Sequence, residues 1–275
     1  MDQSDFNQFR QFLEDACGIS LGENKQYLVS NRIRRILEDS KIDNLGDLIY
    51  LLKQGSSRRL RDQVIDSMTT NETFWFRDSY PYDHLKNVHF PKLLAANNKS
   101  IGPVRIWSAA CSSGQEPYSI SIMVEEFKRQ QLIPTSKQVH IVATDLSTSV
   151  MEQAKLGRYD KLSVLRGLSQ ERLERYFDSS NSEAWQIKPF LKERVELRVL
   201  NLMDSYTSLG KFDIVFCRNV LIYFNADLKR QILQKIHGSL KSKGVLYVGS
   251  SESLSGASDL FEMVKCEPGI YYRAL

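Results

Sequence analysis

The sequence has few features of disulfide-bonded, zinc-binding or membrane-spanning proteins. Its four cysteines lie far apart without a CxxC pair, and its four histidines have no metal-ligand spacing, which argues against a disulfide framework or a zinc site. No stretch approaches the roughly 18 consecutive apolar residues of a membrane span. The amino terminus, MDQSDFNQFRQFLEDA, is acidic and has no apolar run where a signal peptide would have one. We therefore expect a cytoplasmic protein that holds no metal and does not insert into a membrane.

The chain is long enough for two domains. Its 275 residues are 42% apolar and 25% charged, with a net charge of +4, which is an ordinary composition for a globular protein. This mild positive charge does not by itself indicate nucleic acid. Apolar residues recur at helical spacing in residues 1–75, as at Phe6, Phe9 and Leu13. We expect a helical N-terminal domain there, followed by a linker or lid over residues 76–90.

Residues 91–275 have the pattern of an α/β domain. Short apolar runs alternate with helical segments, at 104–110, 139–145, 195–202, 212–220 and 244–254. This alternation predicts βαβ units and a mostly parallel sheet with right-handed crossovers. The crossover after Tyr159 is unusually long and rich in turn residues. It predicts a small inserted β-subdomain at about residues 160–194.

The residues that follow each predicted strand are candidates for a ligand site, because ligands of open parallel sheets bind outside the carboxyl ends of the strands. After the first strand, AACSSGQEPY combines small residues with Pro117, which fits either a ligand against the backbone or a plain strand-to-helix turn. Asp145 ends the second strand, where it either accepts the hydroxyls of a ribose or caps the following helix.

The third and fourth strand ends carry polar residues as well. Asn201 and Leu202 follow the third strand, where they could contact an adenine. Arg218 and Asn219 follow the fourth, and a charge at the end of a buried strand is costly unless it is paired or used. The fourth strand end reads RNVLIYF and lacks the D/N-P-P-Y/F of methyltransferases that act on DNA-base amines. The first turn lacks G-x-G-x-x-G, which serves the pyrophosphate of a dinucleotide.

The segment TTNETFWFRD, residues 69–78, lies between the two predicted domains. Its polar residues, its three successive aromatics and Arg77 are typical of a lid over a cleft. A linker whose aromatics hold the domains together would have the same composition. We expect both, with the aromatics packed and the polar residues facing inward.

The chain resembles the CheR family of chemotaxis receptor methyltransferases. Five ordered motifs carry the resemblance over almost the whole chain, namely TTNETFWFRD, IWSAACSSGQEPYSI, VATDLS, NLMD and FCRNVLIYF. The resemblance implies an all-α N-terminal domain and an S-adenosylmethionine-dependent, Rossmann-like methyltransferase domain with a small β-subdomain. It also implies methyl transfer to glutamates on the cytoplasmic helical signalling domain of chemoreceptors, giving glutamyl methyl esters and S-adenosylhomocysteine. We expect a monomer.

The resemblance also implies roles for individual residues. The cofactor would contact Asn71, Thr73, Arg77, Glu116, Asp145, Asn201, Leu202, Arg218 and Asn219, and Arg77 and Tyr223 would act on the acceptor. A glutamate with a pKa of about 4.3 is already ionised at neutral pH, so no general base is required. The enzyme then has to align the carboxylate with the methyl group and to remove water from the carboxylate. Arg77 can hold the carboxylate, and the hydroxyl of Tyr223 can orient it.

Basic residues of the N-terminal domain are candidates for partner docking. Lys25, Arg32, Arg34 and Arg35 fall on one predicted helix, and a second cluster follows at Arg58, Arg59 and Arg61. Such a surface is either simply solvated or complementary to the Glu-rich helices of a receptor.

Family members that bind a receptor's C-terminal peptide have a glycine-containing loop in the β-subdomain. The matching region here, Asp178–Trp185, contains no glycine and is shorter, so we expect no dependence on such a peptide. Two other functions stay open, namely a methyltransferase of small acids and a non-catalytic sensor of the cofactor. The basic helix disfavours the first, and the joint presence of Arg77, Asp145 and Tyr223 disfavours the second.

Overall fold

A computed structural model describes residues 2–55, 57–94, 102–131, 138–179 and 184–275. It contains a helical domain and a sheet domain, which meet at the carboxyl ends of the parallel strands. Within the described ranges, no helix is both long enough and apolar enough to cross a membrane.

Amphipathic helices form the N-terminal domain. They are α1 (Gln3–Cys17), α2 (Gln26–Ser40), α3 (Leu45–Lys53) and α4 (Arg58–Met68). Their apolar faces meet in one core that includes Phe6, Phe9 and Val64, because residues three and four positions apart share a helix face. Asn44 caps the start of α3 with its side chain, and Gly18 ends α1 in the left-handed conformation with φ 76°.

The boundary between the domains differs from the expectation. Helix α4 ends at Met68, not near residue 75, because Thr69 is extended with ψ 154°. Most of the expected linker is helical. It contains α5 (Tyr80–His84) and a π-helical turn (Leu85–His89), and the helical stretch continues into α6 (Phe90–Leu93). Tyr82, Leu85 and Phe90 are buried against the sheet domain. The polar residues between them obscured this apolar pattern in the sequence.

The main sheet confirms the predicted α/β class. Its strands are β1 (Val104–Ala109), β2 (Val139–Asp145), β6 (Val195–Val199), β7 (Phe212–Cys217), β8 (Leu240–Tyr247), β9 (Phe261–Cys266) and β10 (Gly269–Ala274). The spatial order is β6-β2-β1-β7-β8-β10-β9. The pairs from β6 to β8 are parallel, whereas β10 is antiparallel to both β8 and β9.

Some strand ends differ from the expectation. The runs expected to reach residues 202, 220 and 254 end as strands at Val199, Cys217 and Tyr247, and the residues beyond them form turns. Strand β9 was not expected. It lies at the edge of the sheet, where Phe261 is buried while Glu262 and Met263 are exposed, so its apolar pattern is weak.

Helices cover both faces of the main sheet. They are α7 (Gln115–Gln131), α8 (Thr148–Leu156) and α12 (Ala226–Ser239). Neighbouring residues of β1 face opposite sides, so Ile106 packs in one core with Ile120 of α7, and Trp107 packs in the other with Ile232 of α12. This layered arrangement leaves the carboxyl edge of the sheet open to a ligand.

A second, antiparallel sheet interrupts the alternation, as the long crossover predicted. It contains β3 (Arg158–Asp160), β4 (Phe177–Ser179) and β5 (Ala184–Ile187), in the order β3-β5-β4. The helices around it are α9 (Lys161–Leu165), α10 (Gln170–Tyr176) and α11 (Pro189–Lys192). We call residues 158–192 the β-subdomain. Residues 180–183, part of the region without a glycine-containing loop, lie outside the described residues.

Candidate active site

A cavity lies between the helical domain and the carboxyl ends of the strands. The sequence-predicted residues that line it are Asn71, Thr73, Arg77, Glu116, Asp145, Asn201, Leu202, Arg218, Asn219 and Tyr223. The fold therefore brings together all the residues expected to contact a cofactor or an acceptor.

A tight turn after β1 forms one wall of the cavity. Ala110 and Ser112 have positive φ, at 60° and 50°, which is uncommon for residues other than glycine. Gly114 completes the turn at φ 96°, and a Cβ on it would lie 3.0 Å from the Cβ of Ala154. The turn thus brings the backbone close to the cavity and starts α7 with Glu116 in its first turn.

Asp145 is held rigidly at the end of β2. Its Oδ2 accepts a hydrogen bond from the backbone N–H of Ser112 at 2.8 Å, and its Oδ1 accepts one from that of Ser147 at 3.0 Å. Burial raises the pKa of Asp145, and these backbone donors oppose the shift. The cap of α8 is Ser147, whose hydroxyl accepts from Val150 N. Asp145 therefore does not cap the helix, and its carboxylate lines the cavity.

Arg218 is the centre of a buried charge cluster. Its Nη1 donates to Glu116 at 2.9 Å, and its Nη2 donates to Asp78 at 2.7 Å and to the carbonyl of Arg77 at 2.8 Å. Burial alone would lower the pKa of Arg218, but the negative charges of Glu116 and Asp78 raise it above its ordinary value. The guanidinium is thus charged and joins the cavity wall after β1 to the segment before α5.

The segment from Thr69 to Asp78, which we call the lid segment, closes one side of the cavity. Trp75 and Phe76 are buried, whereas Asn71, Thr73 and Arg77 face the cavity. The expectation that the aromatics pack and the polar residues face inward holds for these residues. It fails for Phe74, which is half-buried and lines the cavity, and for Glu72, which is exposed. Phe76 and Asp78 have φ values of 51° and 63°, a strained backbone that its surroundings must hold in place.

Arg77 of the lid segment and Tyr223, which follows β7, both line the cavity. Arg77 Nη1 donates to the carbonyl of Glu72 at 3.0 Å, and its guanidinium lies 5.4 Å from the ring centre of Phe74. Tyr223 ends a short 3₁₀ turn after β7, and its carbonyl accepts from Ser20 N at 2.9 Å. The loop after α1 thus contacts the turn that carries Tyr223.

The side chain of Asn201 makes hydrogen bonds within the protein, although it was expected to contact a ligand. Its Nδ2 donates to the carbonyl of Ala16 at 2.9 Å, and its Oδ1 accepts from Met203 N at 3.0 Å. The side chain therefore joins the turn after β6 to the end of α1. Leu202, beside it, is 7% exposed and adds an apolar surface to the cavity.

Glu252 holds the backbone beside Asn219 and Ile222, and it was not among the residues selected from the sequence. Its Oε2 accepts from Asn219 N and Gly249 N, both at 2.7 Å, and its Oε1 accepts from Ile222 N at 3.3 Å. It is 6% exposed. The sequence-based interpretation placed it in a strand, where such a role is not visible. An acidic residue in a serine-rich stretch after a buried strand was the only available signal.

The residues expected to dock a partner differ in exposure. Arg34 and Arg35 are exposed, and Lys25 is half-buried. Arg32 is also half-buried, and its Nη1 donates to the carbonyls of Met68 and Thr69 at 2.8 and 2.9 Å. Arg32 therefore binds the start of the lid segment and is not a free surface cation.

Comparisons with known proteins agree with this geometry. Residues 4–69 match the model of the CheR methyltransferase all-alpha domain, and residues 71–270 match that of the CheR methyltransferase SAM binding domain. The chain belongs to the CheR methyltransferase family. Among its relatives, chemotaxis protein methyltransferase Cher2 of Pseudomonas putida is 54% identical over 270 residues, which cover 98% of each chain.

Other relatives carry similar names. Chemotaxis protein methyltransferase 1 of Pseudomonas aeruginosa is 55% identical over 271 residues, covering 98% of each chain. The chemotaxis protein methyltransferase of Salmonella typhimurium is 32% identical, covering 93% of this chain and 85% of its own. The sheet domain is therefore an S-adenosylmethionine-binding methyltransferase domain. Among the described residues, no group of histidine, cysteine, aspartate and glutamate side chains could hold a metal ion.

Proposed function

We propose that this chain is a protein-glutamate O-methyltransferase. It would transfer the methyl group of S-adenosylmethionine to glutamate side chains on the cytoplasmic helical signalling domain of chemoreceptors, giving glutamyl methyl esters and S-adenosylhomocysteine. It would act in the cytoplasm as a monomer. The observation that carries the proposal is the position of Arg77 and Tyr223 in the same cavity as Glu116 and Asp145.

The residues present fit the cofactor. The fixed carboxylate of Asp145 suits the hydroxyls of a ribose, and the apolar surface of Leu202 suits an adenine. Glu116 suits the positively charged methionine end. The Nε of Arg218 is buried without a hydrogen-bond partner in the described structure, so it offers a donor to a ligand carboxylate. Asn71, Thr73 and Asn219 would add polar contacts, and Asn201 would act through the turn that it holds.

The titration behaviour of the cavity favours an acceptor that is already ionised. The described residues that line the cavity include no histidine and no lysine, which are common general bases near neutral pH. Burial raises the pKa of Cys17 to about 11 and that of Cys111 well above its ordinary value, so neither thiol is a base or a nucleophile. A glutamate carboxylate needs no deprotonation.

The cavity residues can then act by alignment. S-adenosylmethionine, when bound, supplies a methyl group on a positively charged sulfur. Arg77 would pair with the incoming carboxylate, and the hydroxyl of Tyr223 would donate a hydrogen bond to it. Phe74 lines the cavity beside Arg77 and would exclude water from the nucleophile. Arg77 must hold the carboxylate loosely, because stabilising only the ground state would slow the transfer.

Helix α2 would receive the acidic receptor helix. Arg34 and Arg35 are exposed on α2, and Lys25 immediately precedes the first residue of the helix. Arg32 connects α2 to Met68 and Thr69 of the cavity wall. A basic surface beside the cavity suits a Glu-rich partner. Exchange of Arg34 and Arg35 for glutamate should raise KM for the receptor, most strongly at low salt, and leave S-adenosylhomocysteine binding unchanged. An unaltered KM would contradict the docking role.

The receptor's C-terminal peptide would not be required. The region that matches the peptide-binding loop contains no glycine and is short. Isothermal titration with a receptor C-terminal pentapeptide should therefore give no heat of binding, and a clear isotherm would overturn this part of the proposal.

Incubation with labelled S-adenosylmethionine and a receptor signalling fragment tests the reaction itself. Label that appears on the fragment and is released as methanol by alkali identifies a glutamyl ester. Arg77→Ala should lower the rate of transfer strongly, to a residual rate that can still be measured, while keeping S-adenosylhomocysteine binding. Label transferred only to small acids, or bound cofactor without any transfer, would replace the proposal with one of the two alternative functions.

A further inference from the structure

The β-subdomain contacts the lid segment through Arg166, which follows α9. Arg166 Nη2 donates to Glu72 Oε1 at 2.7 Å, and its guanidinium lies 4.6 Å from the ring centre of Phe74. Its carbonyl accepts from Trp75 N at 3.2 Å. One residue of the β-subdomain therefore contacts three residues of the lid segment, Glu72, Phe74 and Trp75.

The backbones of the two segments are in direct contact at the next residue. Gly167 has φ 104°, and a Cβ placed on it would lie 2.0 Å from the carbonyl oxygen of Trp75. No side chain fits there without a backbone shift. The ring of Trp75 is fully buried and meets Tyr159 and Phe177 edge-on at 5.0 and 5.2 Å. Both the backbone and the ring of Trp75 in the lid segment therefore contact the β-subdomain.

The two lid residues that the guanidinium of Arg166 contacts, Glu72 and Phe74, also contact Arg77. Arg77 Nη1 donates to the carbonyl of Glu72, and its guanidinium lies on the ring of Phe74, which it shares with Arg166. We propose that Arg166 is a positioning residue for methyl transfer, through which the β-subdomain fixes Glu72 and Phe74 and so aims the guanidinium of Arg77 into the cavity. This inference rests on the proposed role of Arg77 toward the acceptor carboxylate.

The alternative is an ordinary surface ion pair. The side chains of Arg166 and Glu72 are 53% and 61% exposed, and such pairs contribute little to global stability. The hydrogen bond and charge of Arg166 lower the pKa of Glu72, which is consistent with a formed pair. A surface pair predicts no effect on catalysis, whereas a positioning residue predicts a lower kcat with little change in melting temperature.

The experiment uses the full chain with a receptor signalling fragment. Arg166→Ala should lower kcat by roughly 10-fold or more, since a misplacement of about 1 Å can cost about 100-fold. Its KM for the receptor and its affinity for S-adenosylhomocysteine should change less than about 2-fold, and Arg166→Lys should restore part of kcat. Arg175→Ala is the matched control, because Arg175 is an exposed arginine of the same subdomain that pairs with Glu171 on its own helix.

A second measurement does not depend on activity. Hydrogen–deuterium exchange over residues 72–77 should be faster in Arg166→Ala and unchanged in Arg175→Ala, because the lid segment loses contacts only in the first variant. In the Arg77→Ala background, Arg166→Ala should cause no further loss of kcat.

The outcomes separate this inference from the proposed function. An unchanged kcat or unchanged exchange in Arg166→Ala, beside a low kcat in Arg77→Ala, would overturn the positioning role alone. If Arg166→Ala lowers kcat by the same factor in the native chain and in the Arg77→Ala background, the positioning role is also overturned. If Arg77→Ala keeps full activity, the role of Arg77 and the inference built on it both fail.

Discussion

Replacement of Arg218 by methionine should destabilise the protein strongly. The side chain of Arg218 is 1% exposed, while those of its partners Glu116 and Asp78 are 12% and 25% exposed. Removal of one member of a buried ion pair costs about 3–5 kcal/mol, because the remaining charges are left without compensation. Since Asp78 can still reach water, we expect about 3 kcal/mol, which corresponds to a fall in melting temperature of roughly 6–12 °C.

Urea denaturation and calorimetry measure this loss directly. Arg230→Met is the control, because Arg230 pairs with Asp259 at 2.7 Å while both side chains are exposed, and such a pair contributes little to stability. Arg218→Met should also weaken S-adenosylhomocysteine binding, since Glu116 loses its partner. If Arg218→Met loses no more stability than Arg230→Met, the buried ion pairs of Arg218 do not stabilise the fold and the reasoning is refuted.

Further predictions concern single side chains. Burial lowers the pKa of His89 from 6.5 to about 4, so between these values the unfolded chain binds a proton that the folded chain does not. Stability should then fall by about 2 kcal/mol from pH 6.5 to pH 5, and His89→Gln should flatten this slope in urea denaturation. Glu252→Gln turns an amide toward backbone N–H groups and should cost about 1–3 kcal/mol; a neutral effect in urea would contradict its role. Asp145→Asn should weaken S-adenosylhomocysteine binding by about 10–100-fold in calorimetry, and an unchanged affinity would exclude a contact with the ribose.

The strand ends show what could be predicted from the sequence. Asp145, Arg218 and Asn219 were selected because polar residues at the ends of buried strands meet at one edge of a parallel sheet, and they do line one cavity. The lid segment was selected by its composition, and the burial of Trp75 and Phe76 and the inward position of Asn71, Thr73 and Arg77 were expected. These inferences depend on local pattern and topology alone.

The contacts between distant segments could not be predicted. Arg32 was expected on a free basic surface, but it binds the carbonyls of Met68 and Thr69, and helical periodicity does not reveal such a partner. The role of Glu252 depends on three backbone N–H groups, which carry no residue-specific signal. The helices over Tyr80–Leu93 were missed because their apolar residues are separated by polar ones.

The sequence by itself determined the α/β class, the family and many of the polar side chains that line the cavity. It did so because strand and helix periodicity, and motifs at strand ends, are properties of short segments. Only the tertiary structure decided which of these side chains are held by other parts of the protein. Arg218 is fixed between Glu116 and Asp78, and Arg77 lies against residues that Arg166 of the β-subdomain holds. The physical reason is that an ion pair or a backbone hydrogen bond depends on distance in space, and residues far apart in the chain reach that distance only after the domains pack.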